Sequence, residues 1–289
     1  MITLISIFDK HEDFIKLQYS SIQKHIKGEY EYIVFNNAAT NEQFQKNKIV
    51  CDELGIKNIR ITVNYSQDPS NIAGNALNEA FKYLKDKFVF KIDSDMFFIS
   101  DLDINKLFTS ELIYIPTSTN QPNKKLMWSG IFGIKMPNIH LNLDFRPQII
   151  SGTDTFGQSI LLTSDDRYTK KIFNLYMIGN ANDTIINGSI NNDCYIEFNN
   201  NNEIILWERP FEYPIEILNE SNKLLTKFNQ IYNLVKKYKF PEPYNIDFID
   251  IDGIQTLIHF KSSNWCEWYT ENYVTAKKNS LINLLNNIK

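Results

Sequence analysis

Two carboxylates, Asp93 and Asp95, directly follow an apolar run that begins at Phe88. A run of this kind after a helical segment is typical of a buried central strand in an α/β sheet. Open α/β sheets bind ligands outside the carboxyl ends of their strands, so both side chains are expected to face a crevice. Burying unpaired carboxylates is costly, which favours a bound cation. Oxygen ligands suit Mg²⁺ or Mn²⁺, often together with substrate phosphates, and the triplet therefore predicts a metal and diphosphate site.

A solvated turn at a strand end is the alternative interpretation of the same triplet, because Asp-x-Asp also occurs by chance. The chain contains a second example, Asp101-Leu102-Asp103. This one follows on a polar turn, where Asp103 is predicted to be a helix N-cap rather than a metal ligand.

The residues around the first triplet alternate between strand and helix patterns. Strands are predicted at 2–8, 30–35, 59–63 and from 88 to the triplet, and helices over 15–26, 41–54 and 73–84. Such alternation implies right-handed crossovers and a mostly parallel, Rossmann-like sheet flanked by helices. We therefore expect an α/β fold in which residues 1–110 form a nucleotide-binding half.

Within one continuous domain, residues 111–289 are expected to contain a smaller mixed α+β region. The predicted elements are strands at 112–116, 130–135 and 255–260, a hairpin of 194–198 with 203–207, and helices around 224–235 and 273–288.

Composition excludes several classes of function. The net charge is −4 with no basic stripe, which argues against nucleic-acid binding. No apolar run approaches membrane-spanning length, and the N-terminus is typical of a first strand rather than a signal peptide. Three separated cysteines indicate reduced thiols, so we expect a cytoplasmic protein without a transmembrane segment.

Four stretches together resemble the GT-A glycosyltransferases, the superfamily that uses nucleotide-diphosphate sugars. Residues 5–9 are similar to the opening strand and base-binding turn, and 71–78 running into 91–95 resemble the helix and metal-binding Asp-x-Asp of the inverting, family 2 type. Residues 128–133 resemble the acceptor-side strand, where a small residue leaves room for the sugar. Residues 257–260 resemble the C-terminal His-Phe of the retaining, glycogenin-like enzymes. The match covers most of 1–135 in order and scattered pieces beyond.

The resemblance implies a UDP-sugar donor by default, Mn²⁺ or Mg²⁺, and a set of site residues. The implied donor-binding residues are Ser6, Phe8, Asp9, Asn71, Asn75, Asp93, Ser94 and Asp95, and the implied metal ligands are Asp93, Asp95 and His259. A neutral imidazole suits Mn²⁺ better than Mg²⁺. The alternative for His259 is a half-buried strand histidine that bonds a backbone group.

Two aromatic residues and one small residue are candidates for binding the acceptor. Trp128 and Trp265 could stack on a sugar face, with Gly130 beside the first, although either tryptophan could equally belong to the core.

An inverting reaction would also need a base for the acceptor hydroxyl. Asp154, in a glycine-flanked loop after the acceptor strand, is the candidate, with a helix N-cap as its alternative role. Asp165, Asp166 and Asp193 are weaker candidates for the base. Because the centre looks inverting and the His-Phe looks retaining, the stereochemical outcome stays open.

The predicted function is metal-dependent transfer of a sugar to a hydroxyl of a glycan, protein or small molecule. One alternative is a sugar-1-phosphate nucleotidyltransferase, although such enzymes usually carry a glycine-rich basic loop where this chain has residues 9–13. Another is a non-catalytic carbohydrate- or nucleotide-binding relic of the fold. Residues 248–253 look like a phosphatase nucleophile motif, but too little chain follows them for that domain, and we interpret them as a turn into the His259 strand.

Overall fold

The computed structural model describes residues 1–85, 87–118, 125–147, 155–182, 185–190, 194–198, 204–208, 221–242, 244–261 and 270–288. The chain divides into two compact units. The first contains Met1–Met96 and Asp101–Phe173, and the second contains Phe97–Ser100 and Asn174–Lys289.

Sixteen strands and seven α-helices are found in the described ranges. The strands are β1 (Ile2–Phe8), β2 (Ile26–Lys27), β3 (Tyr30–Asn36), β4 (Lys57–Arg60), β5 (Phe88–Ile92), β6 (Met96–Phe98), β7 (Leu102–Asp103), β8 (Leu112–Ser118), β9 (Lys125–Lys135), β10 (Lys170–Ile172), β11 (Asn174–Asn182), β12 (Ile185–Ile190), β13 (Cys194–Phe198), β14 (Ile204–Glu208), β15 (Ile246–Ile251) and β16 (Ile254–His259). The helices are α1 (Glu12–His25), α2 (Asn41–Leu54), α3 (Pro69–Phe81), α4 (Ile104–Leu107), α5 (Ser159–Thr163), α6 (Ser221–Lys237) and α7 (Glu271–Asn287), and Met136–Asn138 form a 3₁₀ turn.

The first unit is built on a seven-stranded sheet in the order β10-β8-β9-β5-β1-β3-β4. Strand β1 pairs in parallel with β3 and β5, β3 pairs in parallel with β4, and β10 pairs in parallel with β8. Strand β9 is antiparallel to both of its neighbours. A mostly parallel α/β sheet with helical crossovers is the fold class that the sequence predicts, and it is confirmed.

Local sequence signals set the ends of the helices beside this sheet. Helix α2 begins where the Thr40 side chain accepts a hydrogen bond from the Gln43 amide at 3.2 Å, and it ends at Gly55, whose φ of 68° is left-handed. The Asp68 side chain caps α3 in the same way, with Pro69 in the first turn. These are ordinary start and stop signals of helices, and the predicted helix over 41–54 is confirmed residue for residue.

The second unit is built on another seven-stranded sheet, in the order β14-β13-β12-β11-β15-β16-β6. The pairs among β11 to β16 are antiparallel. The predicted hairpin forms as β13 and β14, and the residues resembling a phosphatase motif form β15 and the turn into β16, as expected. Because β6 belongs to this sheet, the short Asp93–Asp95 segment leads from a strand of one sheet to a strand of the other.

Several predicted boundaries differ from the structure. Helix α1 covers Glu12–His25 rather than 15–26, α3 covers Pro69–Phe81 rather than 73–84, and β9 begins at Lys125 rather than at 130. Strand β4 covers Lys57–Arg60 rather than 59–63, since its pairing with Ile33–Asn36 of β3 sets its register. The division into compact units also does not follow the predicted boundary at residue 110, because β8 and β9 pair within the first sheet.

Candidate active site

The Asp93–Met96 turn lies at the carboxyl end of β5, near the middle of the first sheet. It is a four-residue turn, closed by a 3.1 Å hydrogen bond from the Met96 amide to the Asp93 carbonyl. The side chain of Asp93 is partly exposed, whereas Asp95 is only 3% exposed. A carboxylate buried to this degree is unfavourable without a cation or hydrogen-bond donors beside it.

Lys91 is a buried cation next to this turn. Its ammonium group forms an ion pair with Asp93 and lies 2.5 Å from the Ser129 carbonyl and 3.2 Å from the Gly130 carbonyl. Lys91 therefore joins the turn to strand β9 and compensates one of the two carboxylate charges. This role of Lys91 was not predicted from the sequence, although a lysine inside the run Phe90-Lys91-Ile92 signals a buried, paired charge.

Gln18 on α1 is a second buried polar side chain that contacts the turn. Its amide nitrogen donates to the Asp93 carbonyl at 2.7 Å and to the Met96 carbonyl at 2.8 Å. Gln18 was not predicted from the sequence either. The available signal is its position three residues after Ile15 and four before Ile22, on the apolar face of the helix.

Trp128 and Gly130, the predicted acceptor residues of the first unit, are in contact on β9. A Cβ atom placed on Gly130 would lie 2.5 Å from a ring atom of Trp128, so the indole covers the glycine directly. Trp128 is half-buried. The expectation that the small residue leaves room for a sugar needs correction, because the tryptophan ring occupies that space; the half-exposed ring itself can still offer a stacking face.

The predicted donor residues on β1 differ strongly in exposure. Ser6 and Phe8 are fully buried, and the Ser6 hydroxyl donates to the Gln18 side chain at 2.7 Å. Their side chains therefore present no surface to a ligand in this structure. Asp9 is exposed, and its carboxylate accepts from the Lys10 amide at 2.8 Å.

The predicted donor residues Asn71 and Asn75 are half-buried in the first two turns of α3. Asn71 donates to the Asp68 carboxylate at 2.5 Å, which lowers the pKa of Asp68. Asn75 donates to the Gln67 side-chain oxygen at 2.7 Å. Both amides thus bond to the loop that begins the helix.

His259 lies at the end of β16 in the second unit, where it is buried. Its Nδ1 atom is 2.9 Å from a carboxylate oxygen of Asp247, its cross-strand partner on β15, and Lys261 Nζ is 2.7 Å from the other oxygen. The Nδ1 atom is thus paired with a carboxylate rather than with a backbone group. Because Nδ1 faces Asp247, a ligand role for His259 would fall to Nε2.

Three of the predicted residues, Asp154, Trp265 and Asp193, lie outside the described residues. Among the other candidate bases, Asp165 bonds the Arg167 guanidinium through both oxygens, which lowers its pKa to about 2. Such a strongly stabilised carboxylate is a poor proton acceptor near neutral pH. Asp166 is fully exposed, with Lys170 at 3.7 Å.

Comparison with known proteins finds similarity only among solved structures. No family model matches the sequence, and no curated protein does. Staphylococcus aureus TarS 1-349 in complex with UDP is 20% identical with a TM-score of 0.30, over 41% of this chain and 36% of that one. The galactosyltransferase LgtC with donor and acceptor sugar analogues is 14% identical with a TM-score of 0.36, over 47% and 58% of the two chains.

A third similar structure is the mannosyltransferase PcManGT from Pyrobaculum calidifontis in complex with GDP-Man and Mn²⁺. It is 11% identical with a TM-score of 0.35, over 46% of this chain and 44% of that one. This chain thus covers less than two thirds of each of the three structures. Similarity at this level carries no argument about function, which has to come from the residues of the site.

Proposed function

We propose that this chain is a metal-dependent glycosyltransferase, which moves a sugar from a nucleotide-diphosphate donor to a hydroxyl acceptor. The observation that carries the proposal is the Asp93–Met96 turn, which holds a buried carboxylate at the carboxyl end of a central parallel strand. That edge is where α/β sheets bind nucleotides. A UDP-sugar is the default donor, and the acceptor is a glycan, a protein or a small molecule.

The donor atoms at the turn fit a hard divalent cation. Asp93 and Asp95 supply carboxylate oxygens, the type of ligand that a hard divalent cation prefers. We propose these two residues as ligands of Mn²⁺ or Mg²⁺, with His259 as a third through Nε2. The bound ion would act as a Lewis acid that neutralises the leaving diphosphate.

The remaining roles follow the exposure of each side chain. Asp9, Asn71, Asn75 and Ser94 are the proposed donor contacts, since each is exposed or half-buried. Trp128 is the proposed stacking face for the acceptor sugar. Asp154 remains the proposed base that takes the acceptor proton if the reaction inverts, and Trp265 remains a second proposed stacking residue.

The experiment that tests this proposal begins with calorimetric titration of UDP, GDP and CMP, each with and without Mn²⁺. We expect one nucleotide to bind, and only when the metal is present. The protein is then incubated with a panel of the corresponding nucleotide sugars and Mn²⁺, and release of the nucleoside diphosphate is followed. Metal-dependent binding with release supports a transferase.

Two other outcomes would point to the rival functions. Binding without release for any donor or acceptor mixture would favour the non-catalytic relic. Pyrophosphate formation from a nucleoside triphosphate and a sugar 1-phosphate would identify a nucleotidyltransferase. Either result would overturn the proposed reaction.

A further inference from the structure

We propose that Gln18 is a positioning residue that holds the Asp93–Met96 turn in the conformation that presents Asp95 to its ligand. This inference rests on the proposed function. It concerns a residue of the first helix, which contributes no side chain to the proposed set of ligands.

The Gln18 side chain is 0% exposed, and its amide oxygen and nitrogen are both bonded. Its oxygen accepts from the Ser6 hydroxyl at 2.7 Å and from the Tyr32 hydroxyl at 2.6 Å. Its nitrogen donates to the carbonyls of Asp93 and Met96. Carbonyl oxygens only accept, so the amide nitrogen must face the turn, and this orientation leaves neither hydrogen without an acceptor.

The hydrogen bonds that Gln18 accepts from the Ser6 and Tyr32 hydroxyls have a fixed direction, as do those that it donates to the turn. Burial raises the pKa of Tyr32, so its hydroxyl stays protonated and donates. Ser6 and Tyr32 stand on the neighbouring strands β1 and β3, which pair in parallel in the sheet core. The amide of Gln18 is thus anchored to the rigid sheet, and it can transmit that rigidity to the turn.

The two carbonyls that Gln18 bonds belong to the first and last residues of the turn, with Ser94 and Asp95 between them. One backbone hydrogen bond closes the turn, and a single bond of that kind holds a turn only weakly. Gln18 adds a donor at each end. Affinity for a metal ion depends on outer groups that hold the ligands in place, so loss of these donors should weaken binding without removing a ligand.

The test compares two variants, one that changes the hydrogen bonds from Gln18 to the turn and one that changes a hydrogen bond from a hydroxyl to Gln18. Gln18→Glu keeps the shape and can still accept from Ser6 and Tyr32. A buried carboxyl group has at most one hydrogen to donate, so at least one of the Asp93 and Met96 carbonyls loses its donor. Tyr32→Phe removes one bond on the hydroxyl side and leaves both donors to the turn. Calorimetry of UDP with Mn²⁺ is run on both variants and on the parent, well below each melting temperature.

We expect Gln18→Glu to weaken metal-dependent UDP binding about 10- to 100-fold, and Tyr32→Phe to change it less than about twofold. A purely structural role would lower the melting temperature of both variants and leave binding by the folded protein unchanged. A folded Gln18→Glu variant that binds as tightly as the parent, or equal losses in both variants, would overturn the proposal.

A second readout does not depend on metal binding. The Met96 amide closes the turn, so its hydrogen exchange reports whether the turn is held. We expect this amide to exchange at least about tenfold faster in Gln18→Met than in the parent, while the Ile5 amide in the sheet is unchanged. Unchanged Met96 exchange would overturn the positioning role. If Gln18→Met does not fold, rapid exchange of the Gln18 side-chain amide protons in the parent would overturn it equally.

The two readouts separate failure of this inference from failure of the proposed function. A parent protein that binds no nucleotide with Mn²⁺ contradicts the proposed function, while Met96 exchange still tests the turn. A parent that binds, together with a Gln18→Glu variant that binds equally well, contradicts only the role of Gln18.

Discussion

At the residue scale, the site depends on buried polar groups that are satisfied by one another. Lys91 is the clearest case, because its ammonium group serves Asp93 and the carbonyls of Ser129 and Gly130. A lysine is seldom buried without such partners. Lys91 can lie inside an apolar strand because the carboxylate of Asp93, two residues later, pairs with its charge.

Replacing this lysine by Lys91→Met should destabilise the fold by about 2 kcal/mol, since it leaves two carbonyls and a carboxylate without their donor. Urea unfolding measures the change. Lys85→Met, at an exposed position between α3 and β5, is the matched control and should cost less than about 0.5 kcal/mol. Equal stability of the two variants would show that the buried ammonium group contributes nothing.

The contact between Trp128 and Gly130 gives a second prediction at this scale. Gly130→Ala should destabilise the first unit by about 1–3 kcal/mol and shift the Trp128 ring, because the new methyl group would overlap the indole. Unfolding experiments and tryptophan fluorescence measure both effects. When Gly130→Ala is introduced into a Trp128→Ala variant, it should lower the free energy of unfolding by almost nothing, because the indole is gone. If it lowers that free energy as much as in the parent, the indole is not the obstacle.

At the element scale, the pair of strands β15 and β16 holds His259 through Asp247. Asp247 is 1% exposed and faces both His259 and Lys261. Asp247→Asn should destabilise the protein by about 1–3 kcal/mol, because the buried carboxylate is lost as the charged partner of His259 and of the partly exposed Lys261. If His259 is a metal ligand, the same change should also weaken Mn²⁺ binding by about tenfold or more.

Chemical unfolding and Mn²⁺ titration check these two effects separately. Asp252→Asn is the control, since Asp252 is exposed in the turn of the same hairpin and asparagine tolerates its left-handed φ of 55°. Loss of stability with intact Mn²⁺ binding would remove His259 from the set of metal ligands while leaving its structural pairing in place.

Helix α3 is tied to the segment before residue 147 through Asp144. The Arg146 guanidinium, with help from the Asn78 amide, holds the pKa of Asp144 well below its usual range. The unfolded chain then binds more protons than the folded one between the two pKa values. Stability from this group is therefore complete above about pH 4 and is lost as the pH falls below it.

Asp144→Asn should accordingly lower stability near pH 7 and make unfolding less sensitive to pH below about 4. Thermal unfolding from pH 2 to pH 7 measures this. Asp9→Asn, at an exposed carboxylate of the same unit, serves as the control. A steep acid profile that survives in Asp144→Asn would assign the effect to other carboxylates.

The elements were predictable where local signals are complete. The apolar face and caps of α2 and the alternation around β1, β3 and β5 specify those segments without reference to the rest of the chain. The register of β4 was not predictable, because pairing with β3 sets it. The membership of Met96–Phe98 in another sheet was equally hidden, since its residues simply continue the apolar run of β5.

The site was predictable in part for similar reasons. Asp93 and Asp95 stand out because carboxylates after a buried strand are unusual. Gln18, Lys91 and Asp247 could be found only as polar residues at core positions, and their partners are distant in sequence. The partner of such a residue cannot be inferred from the sequence alone, and its role therefore cannot be inferred either.

At the scale of the whole molecule, each unit has its own seven-stranded sheet, mostly parallel in the first and antiparallel in the second. Among the described residues, no helix has both the length and the apolar character needed to cross a membrane. The predicted cytoplasmic location stays a prediction. The first unit carries the turn on which the proposed function depends, so the most direct test addresses that turn.

That test is calorimetric titration of UDP in the presence and absence of Mn²⁺, on the parent, on Asp95→Asn and on Asp103→Asn. Asp103 is the control, since this aspartate of the second triplet caps α4 and pairs with Lys106. The proposed clamp predicts metal-dependent binding by the parent and Asp103→Asn, and a loss of at least about 100-fold in Asp95→Asn. If Asp95→Asn binds UDP with Mn²⁺ as tightly as the parent does, the proposed metal and diphosphate site at Asp93 and Asp95 is contradicted.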